Sequence, residues 1–141
     1  MKTLVVLTVS AVSVSILFCP MVMAVPAMPG DVQIVQPDPS VPKEISAFWG
    51  KWDGGDTLLQ HFLIVEKINE KEASIYWWQS GTAGYAAQGW VRYEAKVIKE
   101  RGKYIIWFSG PTGIAQLTLK GEYLNLDTPS PLVKPRLRRV P

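Results

Sequence analysis

The sequence of 141 residues contains one cysteine and one histidine, and this scarcity excludes several kinds of site. Cys19 lies within an apolar N-terminal stretch, so the remainder of the chain forms no disulfide and offers no thiolate nucleophile or thiolate metal ligand. His61 has no HxH, HExxH or cysteine partner, which argues against a zinc site. A lone histidine in a strand is typical of an exposed or hydrogen-bonded residue. We therefore expect no metal and no cofactor.

The familiar catalytic motifs are also missing. No Gly-x-Ser-x-Gly, phosphate-binding loop or dinucleotide fingerprint occurs in the sequence. Glu66 and Glu94 could supply the two carboxylates of a glycosidase, but nothing in the sequence pairs them. Asp53 and Asp56 flank two glycines and are too few for a dedicated calcium site, so they indicate a turn. We expect no enzymatic activity, with an uncharacterised hydrolase as the alternative.

Excess charge is small as well, since the formal net charge is +3 at pH 7. That balance gives no indication of nucleic-acid binding. The basic residues are nevertheless unevenly spread, because Lys134, Arg136, Arg138 and Arg139 crowd the last eight positions. Such a segment could contact an anionic lipid or an acidic protein. It could equally be a solvated edge strand whose charges discourage aggregation.

The N-terminal stretch has the pattern of a secretory signal peptide. Lys2 precedes an almost unbroken apolar run over residues 4–18, and Val22-Met23-Ala24 gives the pattern that signal peptidase recognises for cleavage after Ala24. An uncleaved anchor is the competing interpretation, although the run is short for a spanning helix of about 20 residues. Lipid attachment at Cys19 is disfavoured because Phe18 stands where a small residue is usual. We predict residues 1–24 as a signal peptide, export to the periplasm or beyond, and no transmembrane span after cleavage.

Two regions follow the predicted signal peptide. Residues 25–43 contain five prolines, which cannot donate to a β-ladder, and we predict an extended, mobile leader there. Residues 44–141 are predicted to form one domain.

No segment of ten or more residues after the signal shows a helical apolar period. Residues 90–100 instead alternate cleanly, as a half-buried strand does. Alternation over residues 58–68 is imperfect, which indicates a bulge near Glu66 or burial on both faces. Short turns join the segments in sequential hairpin order, so we predict an all-β, up-and-down antiparallel barrel of about eight strands without substantial helix. The predicted strands cover residues 48–52, 58–68, 73–79, 90–100, 103–109, 114–120, 122–126 and 132–140.

The stretch Gly50-Lys51-Trp52 resembles the Gly-x-Trp signature of lipocalins and the wider calycin group. The resemblance implies that Trp52 packs across the closed end of the barrel, beside an arginine from a late strand. Arg136, Arg138 and Arg139 are the candidates, and we assign barrel closure to Gly50, Trp52, Arg136 and Arg138. The chain is shorter than typical lipocalins and lacks their C-terminal helix, and it is similar to compact bacterial calycin-like barrels. Avidin-like and protease-inhibitor barrels share this outline.

A barrel of this size is either filled by side chains or holds one small ligand. Trp77 and Trp78 must point to opposite faces of their strand, and the outer one is either exposed or covered by the leader. We expect an apolar interior and place the candidate ligand-binding residues Trp77, Tyr85, Tyr93 and Trp107 near the loop over residues 80–89. The residues predicted to point inward are Trp52, Ile75, Trp77, Tyr93, Ala95, Ile106, Leu117 and Leu119.

Two functions follow from these alternatives. The first is non-catalytic binding of a small hydrophobic ligand in the barrel, which requires an apolar cavity of about 300 Å3 or more. The second is a protein-interaction or enzyme-inhibitor module that acts through the barrel rim and exposed aromatic residues, and a filled barrel would favour it.

Overall fold

The structure, a computed structural model, describes residues 26–55, 59–81, 89–131 and 133–141. Eight antiparallel strands form a closed barrel in which each strand pairs with its sequence neighbours and β8 pairs with β1. This architecture confirms the predicted all-β, up-and-down barrel. The strands are β1 (Gly50–Gly55), β2 (Gln60–Ile68), β3 (Glu72–Gln79), β4 (Gly89–Glu100), β5 (Lys103–Gly110), β6 (Gly113–Lys120), β7 (Tyr123–Asp127) and β8 (Arg136–Val140).

Local sequence accounts for most of the strand order. The β4–β5 connection turns at Arg101 and Gly102, whose φ angles are 48° and 78°. Positive φ at both central residues is the geometry of a two-residue hairpin whose twist matches its strands. The turn therefore places β5 beside β4, as the sequence predicts.

Strand β2 shows both features that its irregular alternation indicated. Its register against β3 shifts between Val65 and Lys67, so Glu66 occupies a β-bulge. Phe62 and Ile64 lie on the outer face and are nevertheless buried, while Leu63 and Val65 face the core. Burial of both faces explains why apolar residues run along the whole strand.

The ends of the barrel differ from the prediction in two details. Helix α1 (Lys43–Ser46) precedes β1, which begins at Gly50 rather than at residue 48. Four helical residues are too few to produce a detectable apolar period. Strand β8 begins at Arg136 rather than at residue 132, and Pro135 immediately before it has no N–H for the ladder. Within the described ranges, no helix is long and apolar enough to cross a membrane.

The centre of the barrel is filled by apolar side chains. All eight residues predicted to point inward belong to the core or pack against it. Many core side chains have no accessible surface at all, so no water-sized space adjoins them. The fully inaccessible residues include Leu63, Val65, Ile75, Ile106, Leu117, Leu124, Leu126 and Leu137.

Candidate functional site

The closed end of the barrel is organised around Trp52. Its indole Nε1–H donates to the backbone oxygen of Phe48 at 2.9 Å. The guanidinium of Arg139 lies over the indole ring, 4.3 Å from its centroid, in a cation–π contact. Arg139 also donates to the backbone oxygens of Ala47 and Trp49. Two side chains therefore bind three consecutive carbonyls of the segment that follows α1.

Gly50 is required at this end for two reasons. Its φ is +111°, in the region that favours glycine, and a Cβ built there would lie 2.8 Å from Nη1 of Arg139. A larger residue would displace the guanidinium from Trp52. Burial also lowers the pKa of Arg139, because the charged form loses water contacts.

The structure places the late arginines on two different faces. Arg139 is the one that contacts Trp52, whereas Arg136 and Arg138, which we assigned to closure, lie over the ring of Tyr123 at 3.6 and 5.4 Å. The sequence contains a signal that separates Arg139 from Arg136 and Arg138. Leu137 is the apolar residue of positions 136–139 and faces the core, and strand alternation puts position 139 on the same inner face.

The interior near the other end holds a cluster of aromatic rings. Trp77 donates its indole N–H to Nδ1 of the fully buried His61 at 3.1 Å. The Trp77 ring lies 6.2 Å from that of Tyr93 and 6.3 Å from that of Phe108, and Tyr93 and Phe108 are 5.2 Å apart. These separations are typical of favourable aromatic packing. His61 is therefore a hydrogen-bonded core residue.

The structure brings together two of the four residues that we predicted to bind a ligand. Trp77 and Tyr93 contact each other inside the barrel. Trp107 lies on β5 between the inward-facing Ile106 and Phe108, so it points to the outer face and is only half-buried. Tyr85 lies outside the described residues. Since Trp77 is 1% exposed and its neighbours fill the centre, the contact between Trp77 and Tyr93 is core packing.

The proline-rich segment before α1, expected to be a mobile leader, lies against the outer face of the barrel. Trp90 donates its indole N–H to the backbone oxygen of Ala27 at 2.8 Å, and the Tyr76 hydroxyl donates to the Asp31 carboxylate at 2.8 Å. Burial, and then the bond to Asp31, raises the pKa of Tyr76. These contacts place the leader across strands β3 and β4.

Glu66 at the β-bulge is the second attachment point of the leader. Its carboxylate accepts from the backbone N–H of Gln33 at 2.7 Å, and its backbone oxygen accepts from that of Val35 at 2.9 Å. The Arg92 guanidinium lies 3.3 Å from the same carboxylate, whose side chain is 3% exposed. The leader therefore binds β2 at the bulge, through both the side chain and the backbone of Glu66. The sequence indicated the bulge, but no local pattern predicted that the leader binds there.

An apolar groove of about 410 Å3 remains beside the leader on the outer face of β1, β2 and β8. Phe62 and Ile64 supply part of its wall, and Met28 of the leader stands at its edge with half of its surface exposed. Lys51 and Asp53 are its charged residues. The remaining lining residues are Pro26, Trp52, Leu63, Trp90, Val140 and Pro141.

Among the described residues, no group of three or more histidine, cysteine, aspartate or glutamate side chains could hold a metal ion. Comparison of the chain with protein-family models, with curated proteins and with solved structures finds no match.

Proposed function

We propose that this chain is an exported, non-catalytic binding protein whose site is the apolar groove on the outer face of the barrel. The observation that carries the proposal is the contrast between the two apolar regions. The interior is filled to the point that nine of the described apolar core residues have no accessible surface, whereas the outer groove offers about 410 Å3. That volume falls within the range of about 300–1,000 Å3 that small-molecule sites occupy. A small hydrophobic molecule is the ligand that this lining favours.

Export is part of the proposal and is supported by the sequence pattern of residues 1–24. Membership of a calycin-like class is supported by the contact between Trp52 and Arg139, which is the arrangement that the Gly-x-Trp resemblance implies. Non-catalytic action is supported by the lack of a paired nucleophile and base in the sequence. Periplasmic or secreted location follows from export.

A partner protein is the second candidate, and the exposure of Met28 favours it. Methionine adapts to differently shaped apolar surfaces, and Met28 exposes 51% of its side chain beside the groove. An apolar side chain of a partner protein would then occupy the groove in place of a small molecule. This alternative corresponds to the protein-interaction or enzyme-inhibitor module.

Native mass spectrometry of protein purified from its own host separates the two candidates. A co-purified small molecule supports the first, and an added protein mass supports the second.

The site itself is tested with N-phenyl-1-naphthylamine, an apolar fluorescent probe. We expect Met28→Lys to weaken probe binding about tenfold, equivalent to about 1.4 kcal/mol. Ile114→Lys is the matched control, because Ile114 is also an exposed apolar residue and does not line the groove. Equal weakening by the two substitutions, or no saturable binding to the parent protein, would exclude the groove as the site.

A further inference from the structure

A second cleft, of about 560 Å3, lies at the closed end of the barrel beside the β6–β7 turn. It differs from the outer groove in its charge, since two arginines line it. Trp52 reaches both clefts, but the other lining residues are distinct. Those of the closed-end cleft are Ala47, Trp52, Leu119, Gly121, Glu122, Tyr123, Arg138 and Arg139.

The arginines at this cleft form no ion pair with the carboxylates of the described residues. Among the described residues, no carboxylate lies within 4 Å of the guanidinium of Arg136, Arg138 or Arg139. Asp53 stands opposite Arg138 in the β1–β8 ladder without forming an ion pair. Among the described lining residues, Glu122 supplies one carboxylate and Arg138 and Arg139 supply two guanidinium groups. An incoming anion would therefore meet an excess of positive charge.

Both lining arginines are held in place by contacts that leave donors unused. Arg139 is fixed by the Trp52 ring and by two backbone carbonyls. Arg138 lies beside the Tyr123 ring, and its Nη2 is 3.4 Å from the Tyr123 hydroxyl. A guanidinium has five N–H donors, so each keeps several for a ligand. Because these cations are already positioned, a ligand loses less affinity to side-chain ordering than it would on free side chains.

Arginine side chains favour phosphate in particular, since the planar fork donates two parallel N–H bonds to its oxygens. Arg136, 3.6 Å from the centroid of the Tyr123 ring, adds positive charge beside this lining residue. Apart from Glu122, the other described lining residues are apolar, aromatic or glycine, and Ala47 and Leu119 are the apolar ones that are exposed or half-buried. A bare phosphate would leave these apolar residues without a partner, so the lining favours a molecule that joins a phosphate to an apolar portion.

We propose that the closed-end cleft binds the phosphate group of an amphipathic molecule. The phosphate lies on Arg138 and Arg139, which line the same cleft from opposite faces of β8, and an apolar portion lies against Leu119 and Ala47. The phosphate can belong to a soluble phosphomonoester or to a phospholipid headgroup, which present the same chemistry to the two guanidinium groups. This site does not depend on the outer groove, and a failure of either leaves the other standing.

Phenyl phosphate tests the soluble form by isothermal titration calorimetry at low and physiological salt. We expect saturable binding of one molecule per chain, weakened by salt, and no binding of phenol, which lacks the phosphate. Arg138→Gln should weaken binding at least tenfold, and Arg138→Lys should weaken it less. Arg101→Gln is the matched control, since Arg101 is an exposed arginine in the β4–β5 turn and does not line this cleft.

Vesicles test the lipid form. Sedimentation with phosphatidylglycerol vesicles, but not with phosphatidylcholine vesicles, and loss of sedimentation in Arg138→Gln would assign the phosphate to a lipid headgroup. Inorganic phosphate should compete weakly in either case, because it lacks the apolar portion.

Glu122→Gln distinguishes an effect of charge on phosphate binding from a folding defect. Removal of this carboxylate should tighten phosphate binding several-fold, whereas a folding defect would weaken it. The proposal is overturned if neither phenyl phosphate nor phosphatidylglycerol vesicles bind, or if Arg101→Gln weakens binding as much as Arg138→Gln does.

Discussion

Replacement of Arg139 by methionine is the most direct perturbation of the closed end. Methionine keeps a long, flexible apolar side chain and removes the guanidinium. Three interactions are lost together: the contact over Trp52 at 4.3 Å and the donations to the oxygens of Ala47 and Trp49. A cation–π contact at a partly exposed site contributes about 1 kcal/mol. Each hydrogen bond contributes about 1 kcal/mol net, since the side chain is partly open to water.

We therefore expect Arg139→Met to lower the free energy of unfolding by about 3 kcal/mol. For a domain of this size, that loss corresponds to a fall of about 15 °C in Tm. Urea unfolding followed by far-UV circular dichroism measures the free energy, and a thermal scan measures Tm. Arg136→Met is the control, because its guanidinium stacks on the half-buried Tyr123 on the outer face. The control should lose less than about 1 kcal/mol.

A double-mutant cycle isolates the contact with the indole. Trp52→Leu removes the ring, so the coupling between Trp52→Leu and Arg139→Met should be about 1 kcal/mol. Two results would contradict this role of Arg139: a loss of stability in Arg139→Met no larger than that in Arg136→Met, or a coupling of zero. Either result would mean that Arg139 does not hold the segment over the end of the barrel.

Three further expectations concern the leader and the aromatic cluster. Glu66→Ala should speed hydrogen exchange at the Gln33 amide about tenfold, because the amide loses its acceptor. Unchanged exchange, in a sample whose leader has not been cut by proteases, would argue against docking of the leader. In an alkaline titration followed at 295 nm, Tyr76 should ionise above its ordinary pKa of 10.0. The stability that the Tyr76–Asp31 hydrogen bond contributes is then fully present below pH 10.0, the ordinary pKa of tyrosine, and is lost as pH rises through the higher folded-state pKa. Tyr76→Phe should abolish the late component, and its persistence would assign it elsewhere. Trp77→Phe should cost about 2 kcal/mol in urea unfolding, since the buried histidine loses its indole donor. Trp107→Phe on the outer face should cost less, and equal losses would contradict the inward assignment of Trp77.

Much of the architecture is local in origin and was therefore predictable. Alternation along β4 fixes which residues face the core, and the Arg101–Gly102 turn fixes where β5 begins. The irregular pattern in β2 correctly indicated the bulge at Glu66. Helix α1, where the fold begins, was harder to predict from the sequence. It is stabilised by burial of Ile45 and Phe48 in the core, and its four residues are too few to show a helical apolar period.

The candidate sites were less predictable, because they depend on contacts between distant parts of the chain. The outer groove exists where the leader crosses β2 and approaches β8, and its attachment at Glu66 joins positions 33 residues apart. The phosphate site was visible only as a run of basic residues. Its apolar lining comes from β6, from β1 and from the segment after α1.

The number, order and inward faces of the strands can be predicted from neighbouring residues, since hairpin turns and side-chain alternation are local properties. The sequence also marked Gly50 and Trp52 as a structural pair. Only the closed barrel decided that Arg139 is their partner and that the centre has no accessible space. The bond from Arg139 to Trp49 joins residues 90 positions apart, and it forms because closure of β8 on β1 brings them together. Filling of the interior likewise depends on side chains from all eight strands, whose volumes combine only in the tertiary structure.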